Sequence, residues 1–332
     1  MGPLGVYVIK RTIQIFITLI VIMTIIFALL EALPAKPYQL LMQSPGMTQQ
    51  QKEAMIKQMG YDKGPWDRYW IYMKNMFTFN FGRSFMQGTP VATLLFGGYN
   101  EKTHTYEYGR LWNTLILFGI ATILSYLIGY FLGSIIAWKR GSVIDSGTVV
   151  TSLIFYNMPI FWVGLIFIWI FSFQLGWFPL ASNEWMKYGY FSIEFVKALT
   201  LPLFTILLLS LAGTTLLMRT SMLDVMGEEY IVTAKAKGLP EKVVLYKHAA
   251  RNALLPLVTS FVLALAFTVA GGVITEQVFT YPGMGLLYIS ALMQLDFPVV
   301  YATLYLITLL VLIGNFVADI LYGVLDPRVR MQ

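Results

Sequence analysis

Two histidines, His104 and His248, are all the imidazole the chain has, and imidazole is the usual acid, base and metal ligand near neutral pH. In the topology derived below they lie on opposite faces of a membrane, so they form neither a paired-histidine metal site nor a histidine-based triad within one chain. The patterns H-E-x-x-H, G-x-S-x-G and G-x-x-x-x-G-K-[ST] do not occur, which removes the zincin, serine-hydrolase and nucleotide-loop signatures. Cysteine is absent, and with it disulfides, thiolate metal sites and thiol nucleophiles. The expectation is a chain that is not an enzyme, with no catalytic residue, cofactor or metal of its own.

The polar groups that remain sit in apolar surroundings. Asp319 is the one acid well inside an apolar run, and such residues mark either a functional site or a paired charge. It lies near one helix end, so pairing with an arginine such as Arg219 or Arg328 is expected. Tyr126, Tyr130, Asn157, Trp162 and Thr268 are polar or amphipathic within apolar runs. They are candidates to line a pore, with ordinary packing as the alternative. Gly129-x-x-x-Gly133 allows close helix approach.

The elements that hold these groups follow from hydropathy. The 332 residues are 57% hydrophobic and 12% charged, whereas soluble domains are about 45–50% apolar and about 25% charged. A span needs about 20 mostly apolar residues. Six stretches qualify: Ile13–Leu33, Leu111–Trp138, Thr148–Phe173, Ala198–Met218, Ala253–Thr275 and Val299–Leu325. The first is too long for the apolar core of a signal peptide and is kept as an anchor.

The net charge of +6 is read as a topology signal and not as a nucleic-acid surface. With six alternating spans, Lys10, Arg11, Lys139, Arg140, Arg219, Lys235, Lys237, Lys242, Lys247, Arg251, Arg328 and Arg330 share one side. Positive charge in short loops stays in the cytoplasm, so both termini are expected there, in a multi-pass protein of the cell membrane. The short segments opposite, near 174–197 and 276–298, carry Lys187 and Lys197 alone.

The external stretch 34–110 is expected to form a small ordered cap. Thr48 suits the N-cap of a short helix, aromatics from Trp66 to Phe79 suit an interface, and Phe96–Tyr108, with Gly97-Gly98, reads as a flexible insertion. A second external piece, 276–298, reads as a re-entrant or interfacial helix after a Pro282-Gly283 turn, with Leu286, Leu287, Ile289 and Leu292 on its apolar face.

The most informative segment is cytoplasmic. Glu228 to Lys237 is rich in helix formers, acidic at its start and basic at its end, and stops at Gly238. Pro240 suits the first turn of a second short helix, and Pro256 then opens the next span. Two short helices around a sharp turn make a rigid knob. By pattern alone it reads equally as a solvated loop.

This segment resembles the EAA loop of binding-protein-dependent ABC importers, in particular the permeases of the oligopeptide, dipeptide and nickel family. The likeness runs in order through Tyr7 to Pro37, Asn80-Phe81-Gly82-Arg83-Ser84, Asn113-Thr114, Lys139-Arg140-Gly141 with Asp145, and Pro159-x-Phe161-Trp162-x-Gly164-Leu165. It continues through Leu175-Gly176-Trp177-Phe178-Pro179, Arg219-Thr220-Ser221-Met222-Leu223, Glu229-Tyr230 to Lys237-Gly238-Leu239, Arg251-Asn252-Ala253-Leu254-Leu255-Pro256, Phe279-x-Tyr281-Pro282-Gly283-Met284-Gly285 and Leu325-Asp326-Pro327-Arg328. It departs at Leu33-Pro34-Ala35-Lys36-Pro37, where the family often has Leu-Pro-Gly-Asp-Pro. It departs again at Val232, where the general pattern has an acid.

The resemblance implies an all-α integral membrane protein of the type I ABC importer class. It would have about six transmembrane helices, a cytoplasmic coupling helix and an external loop domain. The parts would be a first span in 1–33, a cap in 34–110 and a permease core in 111–332, with the coupling loop at 219–252 and the re-entrant segment at 276–298. It implies a homologous second permease, an external solute-binding protein and two ATPase subunits that bind ATP and Mg. Glu229, Tyr230, Thr233, Ala234, Lys235, Lys237, Gly238 and Leu239 would seat in an ATPase subunit, and Tyr281, Pro282, Gly283 and Met284 would meet the binding protein. The implied solute is an oligopeptide or dipeptide, with oligosaccharides or nickel chelates as alternatives within the family. A secondary transporter, which would need buried coupling acids, is the competing class.

Overall fold

The computed structural model of the chain describes residues 3–33, 37–43, 47–100, 105–268 and 271–325. The Pro34-Ala35-Lys36 turn, His104, and Asp326 to Arg330 lie outside the described residues. Helix α1 (Pro3–Glu31) buries Leu19, Met23, Ile26 and Leu30, spaced as one stripe. Its other side, including Phe16, Val21, Ile25 and Leu29, is exposed, as suits a face turned to lipid.

The external cap contains α2 (Pro37–Gln43), α3 (Gln49–Met59), α4 (Pro65–Phe77) and α5 (Val91–Phe96). Thr48 caps α3 as expected. The Gln51 N–H donates to its Oγ1, and the Thr48 N–H donates to Gln51 Oε1 at 3.0 Å, a reciprocal pair that satisfies two otherwise orphaned donors. Within Phe96–Tyr108, expected as a flexible insertion, the described residues form a hairpin. Gly97–Asn100 (β1) pairs antiparallel with Thr105–Tyr108 (β2). Gly97 and Gly98 take φ of 88° and 153°, so these glycines shape a hairpin entry that other residues would strain.

The core begins with α6 (Arg110–Trp138), followed by α7 (Val143–Tyr156) and α8 (Ile160–Phe167), the last running on through a π-helical turn to Gln174. The expected third span is therefore two pieces, bent by 98°. The cause is local: Pro159 lacks an N–H and disfavours helical geometry at Met158, so α7 stops at Tyr156 and Pro159 starts α8. A single 3₁₀ turn at Glu184–Lys187 precedes the long α9 (Ile193–Met226).

Helix α10 (Glu229–Ala236) follows directly. The second short helix expected after Pro240 is instead the start of the next span. α11 (Glu241–Val243) passes through a π-helical turn at Val244–Ala250 into α12 (Arg251–Phe267), forming one apolar helix from Glu241 to Phe267. Pro256 lies inside it and does not open it. The span also ends earlier than expected, because Val273–Val278 is a separate helix, α13. Then come α14 (Met284–Met293), the expected external helix, and α15 (Phe297–Leu325).

Among the described residues five helices are long and apolar enough to cross a membrane, and six spans result if the bent pair counts as one. α1 packs on α15 within a cluster that also takes in the cap through Met55, Tyr72, Phe81 and Phe85. α6 and α9 cross most closely at the expected glycines. A Cβ on Gly129 would lie 2.4 Å from Thr214 Oγ1, and one on Gly133 would lie 2.6 Å from Met218 Cβ. This is the tight approach that small residues permit inside a membrane, where packing rather than hydrophobicity holds helices together.

Candidate functional site

The knob expected in the cytoplasm is α10 with the turn that follows. Two side chains pin it: Ile231 is 0% and Ala234 is 5% exposed. They sit in a cluster with Ala137, Met218, Met222, Val244, Leu245, Ala249 and Ala250, so the helix rests on the ends of α6 and α9 and on the π-helical turn that leads into α12. The other predicted coupling residues face outward: Glu229, Tyr230, Thr233, Lys235, Lys237, Gly238 and Leu239 are all exposed. Ala234 is the exception and acts as an anchor.

Local bonds stiffen the knob. Gly238 has φ of 70°, its N–H donates to Lys235 O at 2.9 Å, and the Leu239 N–H donates to Ala234 O at 3.4 Å. That is a left-handed helix stop of the glycine type. Asn252 Nδ2 donates to the Tyr230 hydroxyl at 2.9 Å, and the Lys235 ammonium lies 5.0 Å from the Trp138 ring centroid. The pinned helix thus packs at once against three of the long helices, with its other face exposed.

The side expected to face outward holds a buried joint. Glu276, 0% exposed, accepts from Thr114 Oγ1 at 2.8 Å and from the Leu286 N–H at 2.9 Å. Thr114 Oγ1 in turn accepts from the Met284 N–H at 2.8 Å. Asn113 Nδ2 donates to Pro282 O at 2.6 Å, the Tyr281 hydroxyl donates to Asn113 O at 3.0 Å, and the Tyr190 hydroxyl donates to Asn113 Oδ1 at 2.6 Å. Burial pushes the Glu276 carboxyl up to about 7, against the opposing pull of its hydrogen bonds.

Tyr281, Pro282, Gly283 and Met284, expected to meet a binding protein, are all buried within this chain. The reason is the joint itself. The turn is wrapped onto Glu276 and onto the start of α6, so these residues shape the connection and offer no free side-chain surface in this conformation.

A second buried acid ties the cap to the core. Asp296, 4% exposed, accepts from Ser84 Oγ at 2.5 Å and from the Phe85 N–H at 2.9 Å. It also precedes α15, as an N-cap acid does. Burial raises its carboxyl above the ordinary range. Sequence reading missed both acids as site residues. The signal available for Asp296 was its place directly before an apolar span; Glu276 has no comparable mark.

The five pore candidates are not brought together. Tyr126 and Tyr130 line one apolar groove of about 330 Å³ between α6 and α12, with Leu257 and Phe261, and the Tyr126 hydroxyl pairs with Ser260 Oγ at 2.6 Å. Asn157 caps α7 at the bend, its Nδ2 donating to Leu153 O at 2.7 Å. Trp162 is exposed on α8, and Thr268 is buried, donating to Leu265 O at 2.7 Å. Asp319 is paired with Arg11 of α1, whose Nε donates to its Oδ2 at 2.6 Å; of the two expected arginines, Arg328 lies outside the described residues. Arg219 is held elsewhere, by a two-pronged contact with Asp145 at 2.7 and 3.0 Å, the geometry guanidinium and carboxylate favour.

Residues 129–331 match the family described as binding-protein-dependent transport system inner membrane component, and residues 5–115 match the N-terminal region of the same kind of membrane component. The chain belongs to this family. It is an ABC importer permease of the oligopeptide/dipeptide type, a multi-pass protein of the cell membrane. The permease is 37% identical to the oligopeptide transport system permease protein AppB of Bacillus subtilis, over 98% of this chain and 99% of the relative. It is 34% identical to the di/tripeptide transport system permease protein DppB of Pseudomonas aeruginosa, over 92% of this chain and 93% of the relative. Against the dipeptide transport system permease protein DppB of Escherichia coli K12 the identity is 31%, over 98% of each. The all-α membrane architecture expected from the family likeness is the one observed.

Proposed function

We propose that this permease carries short peptides inward across the cell membrane. It pairs with a homologous permease to form the path, takes the peptide from an external binding protein, and is driven by two ATPase subunits that hold ATP and Mg. The observation that supports this most directly is α10: a helix pinned by Ile231 and Ala234 whose remaining residues are exposed, the charged Glu229 and Lys235 among them. Such an element has different contacts in two states of a docked ATPase, and differential contact is what coupling requires. The peptide assignment rests on relatives named for oligopeptide, di/tripeptide and dipeptide transport along nearly their whole length.

The Lys and Arg asymmetry supports a topology with both termini and α10 in the cytoplasm. Because the chain has no cysteine, single-cysteine labelling from either side tests this directly. The functional test is reconstitution of the permease with its copurifying partners in proteoliposomes. ATP-dependent uptake of a tripeptide is expected, and uptake that persists without ATP would overturn the reading. Calorimetry of the binding protein decides the solute: tripeptide binding supports the assignment, and binding of oligosaccharide alone removes it.

A further inference from the structure

On the outer side, next to the Glu276 joint, a pocket of about 180 Å³ opens between the start of α6 and the turn before α14. Its lining combines Gln87, Arg110 and Asn183 with Met186, Leu286 and Leu287. Arg110 is the unusual member. Among the described residues the ion pairs join Arg11 to Asp319, Arg68 to Glu31 and Arg219 to Asp145, and Arg110 belongs to none. Its side-chain hydrogen bond goes to the Met186 sulfur at 3.4 Å, a weak acceptor for a guanidinium. Glu107 and Glu276 attract it through space, but Glu276 is spent on Thr114 and Leu286.

A partly buried guanidinium without a carboxylate is costly, and its planar fork matches a carboxylate in two-pronged fashion. The pocket is below the roughly 300 Å³ of a drug-sized site, so it takes one residue and not a whole oligomer. Its lining is also mixed: a cation and two amides together with thioether and leucine carbons.

We infer that this pocket binds the C-terminal residue of the transported peptide, with its carboxylate on Arg110 and its side chain against Leu286 and Leu287. The inference rests on the peptide reading above. It adds a place where the permease itself recognises solute, beside the joint that links α6 to the external helix.

Arginine modification tests it on the complete transporter in nanodiscs, without binding protein. Phenylglyoxal should modify Arg110, followed by mass spectrometry of the peptide that carries it. Trialanine should slow that modification, and trialanine amide should need at least about tenfold higher concentration for the same protection, the loss of a charge-assisted pair. Equal protection by acid and amide, or equal protection by inorganic phosphate, overturns the proposal. So does protection by the binding protein alone, which would make the carboxylate an acidic side chain of that partner. An Arg110 that is unreactive without peptide would mean a pocket covered in the assembly, and also overturns it. Trialanine uptake by the same transporter in proteoliposomes, with its binding protein and ATP supplied, separates the two readings: uptake without differential protection sinks the pocket and leaves the peptide assignment standing, whereas no uptake sinks the assignment.

Discussion

Thr114 and Glu276 share a hydrogen bond of 2.8 Å, donated by the threonine Oγ1 to the carboxylate Oε1, and through it α6 holds the external segment that leads into α14. The same threonine oxygen accepts from the Met284 N–H. One span, α6, and the two short helices α13 and α14 thus converge on one buried carboxylate.

This joint should titrate. The folded-state pKa of Glu276, about 7, lies above its ordinary 4.5. Between these values the native protein binds more protons than the unfolded chain, so stability is fullest at low pH and falls as pH rises through the window. Thermal unfolding in detergent at about pH 5 and about pH 8 should show this loss in wild type, with Glu276→Gln flatter by roughly 1–3 kcal/mol. Equal slopes in both proteins would remove Glu276 as the source.

Packing at the joint should be equally sensitive. A Cβ on Gly283 would lie 2.4 Å from the Glu276 carboxylate, so Gly283→Ala is expected to cost about 1–3 kcal/mol through forced displacement. Gly147 in α7 has nothing within 4 Å of the same construction, and Gly147→Ala serves as the control, with stability at or above wild type from helix propensity. A melting temperature for Gly283→Ala within error of wild type would contradict the structure.

Gly238 makes a different demand. Nothing lies within 4 Å of a Cβ there, yet φ is +70°, so substitution strains the backbone by about 1–2 kcal/mol without a clash inside the chain. Gly238→Val should insert and fold but hydrolyse ATP with little peptide uptake, whereas Gly238→Asn, which tolerates the left-handed region, should keep uptake near wild type. The ratio of peptide imported to ATP hydrolysed in proteoliposomes measures this. Matching ratios for all three proteins would detach the turn from coupling.

The cap should be released by a single carboxylate. Asp296→Ala leaves Ser84 and the Phe85 N–H without their buried acceptor, at an expected cost of about 1–3 kcal/mol. Limited proteolysis from outside should then cut within 79–90 at lower protease concentration than in wild type. Unchanged cleavage would mean that the apolar cluster around Phe81 and Phe85 holds the loop alone.

Several features were legible without coordinates because they depend on neighbours in sequence. Apolar runs long enough to span a bilayer, the Thr48 cap, the Gly238 stop and the close-packing pair Gly129 and Gly133 are all of this kind. Boundaries were less legible where a proline acts by context. Pro159 breaks the third span by 98°, while Pro256 is absorbed inside α12 after a π-helical turn that carries the knob straight into the membrane. The difference lies in whether neighbouring helices compensate the missing N–H, which hydropathy does not encode.

Composition and pattern by themselves thus determined a membrane protein of about six spans with a charged knob and no signature of its own for catalysis. Only the tertiary structure decided which partners the buried and half-buried charges take. Asp319 finds Arg11 from the other end of the chain, Arg219 finds Asp145, Asp296 holds Ser84, and Glu276 holds Thr114. Each pair is distant in sequence, from 74 residues for Arg219 and Asp145 to 308 for Arg11 and Asp319. A buried charge must find a partner somewhere, but which one is fixed by how the helices pack, and no local pattern carries that information.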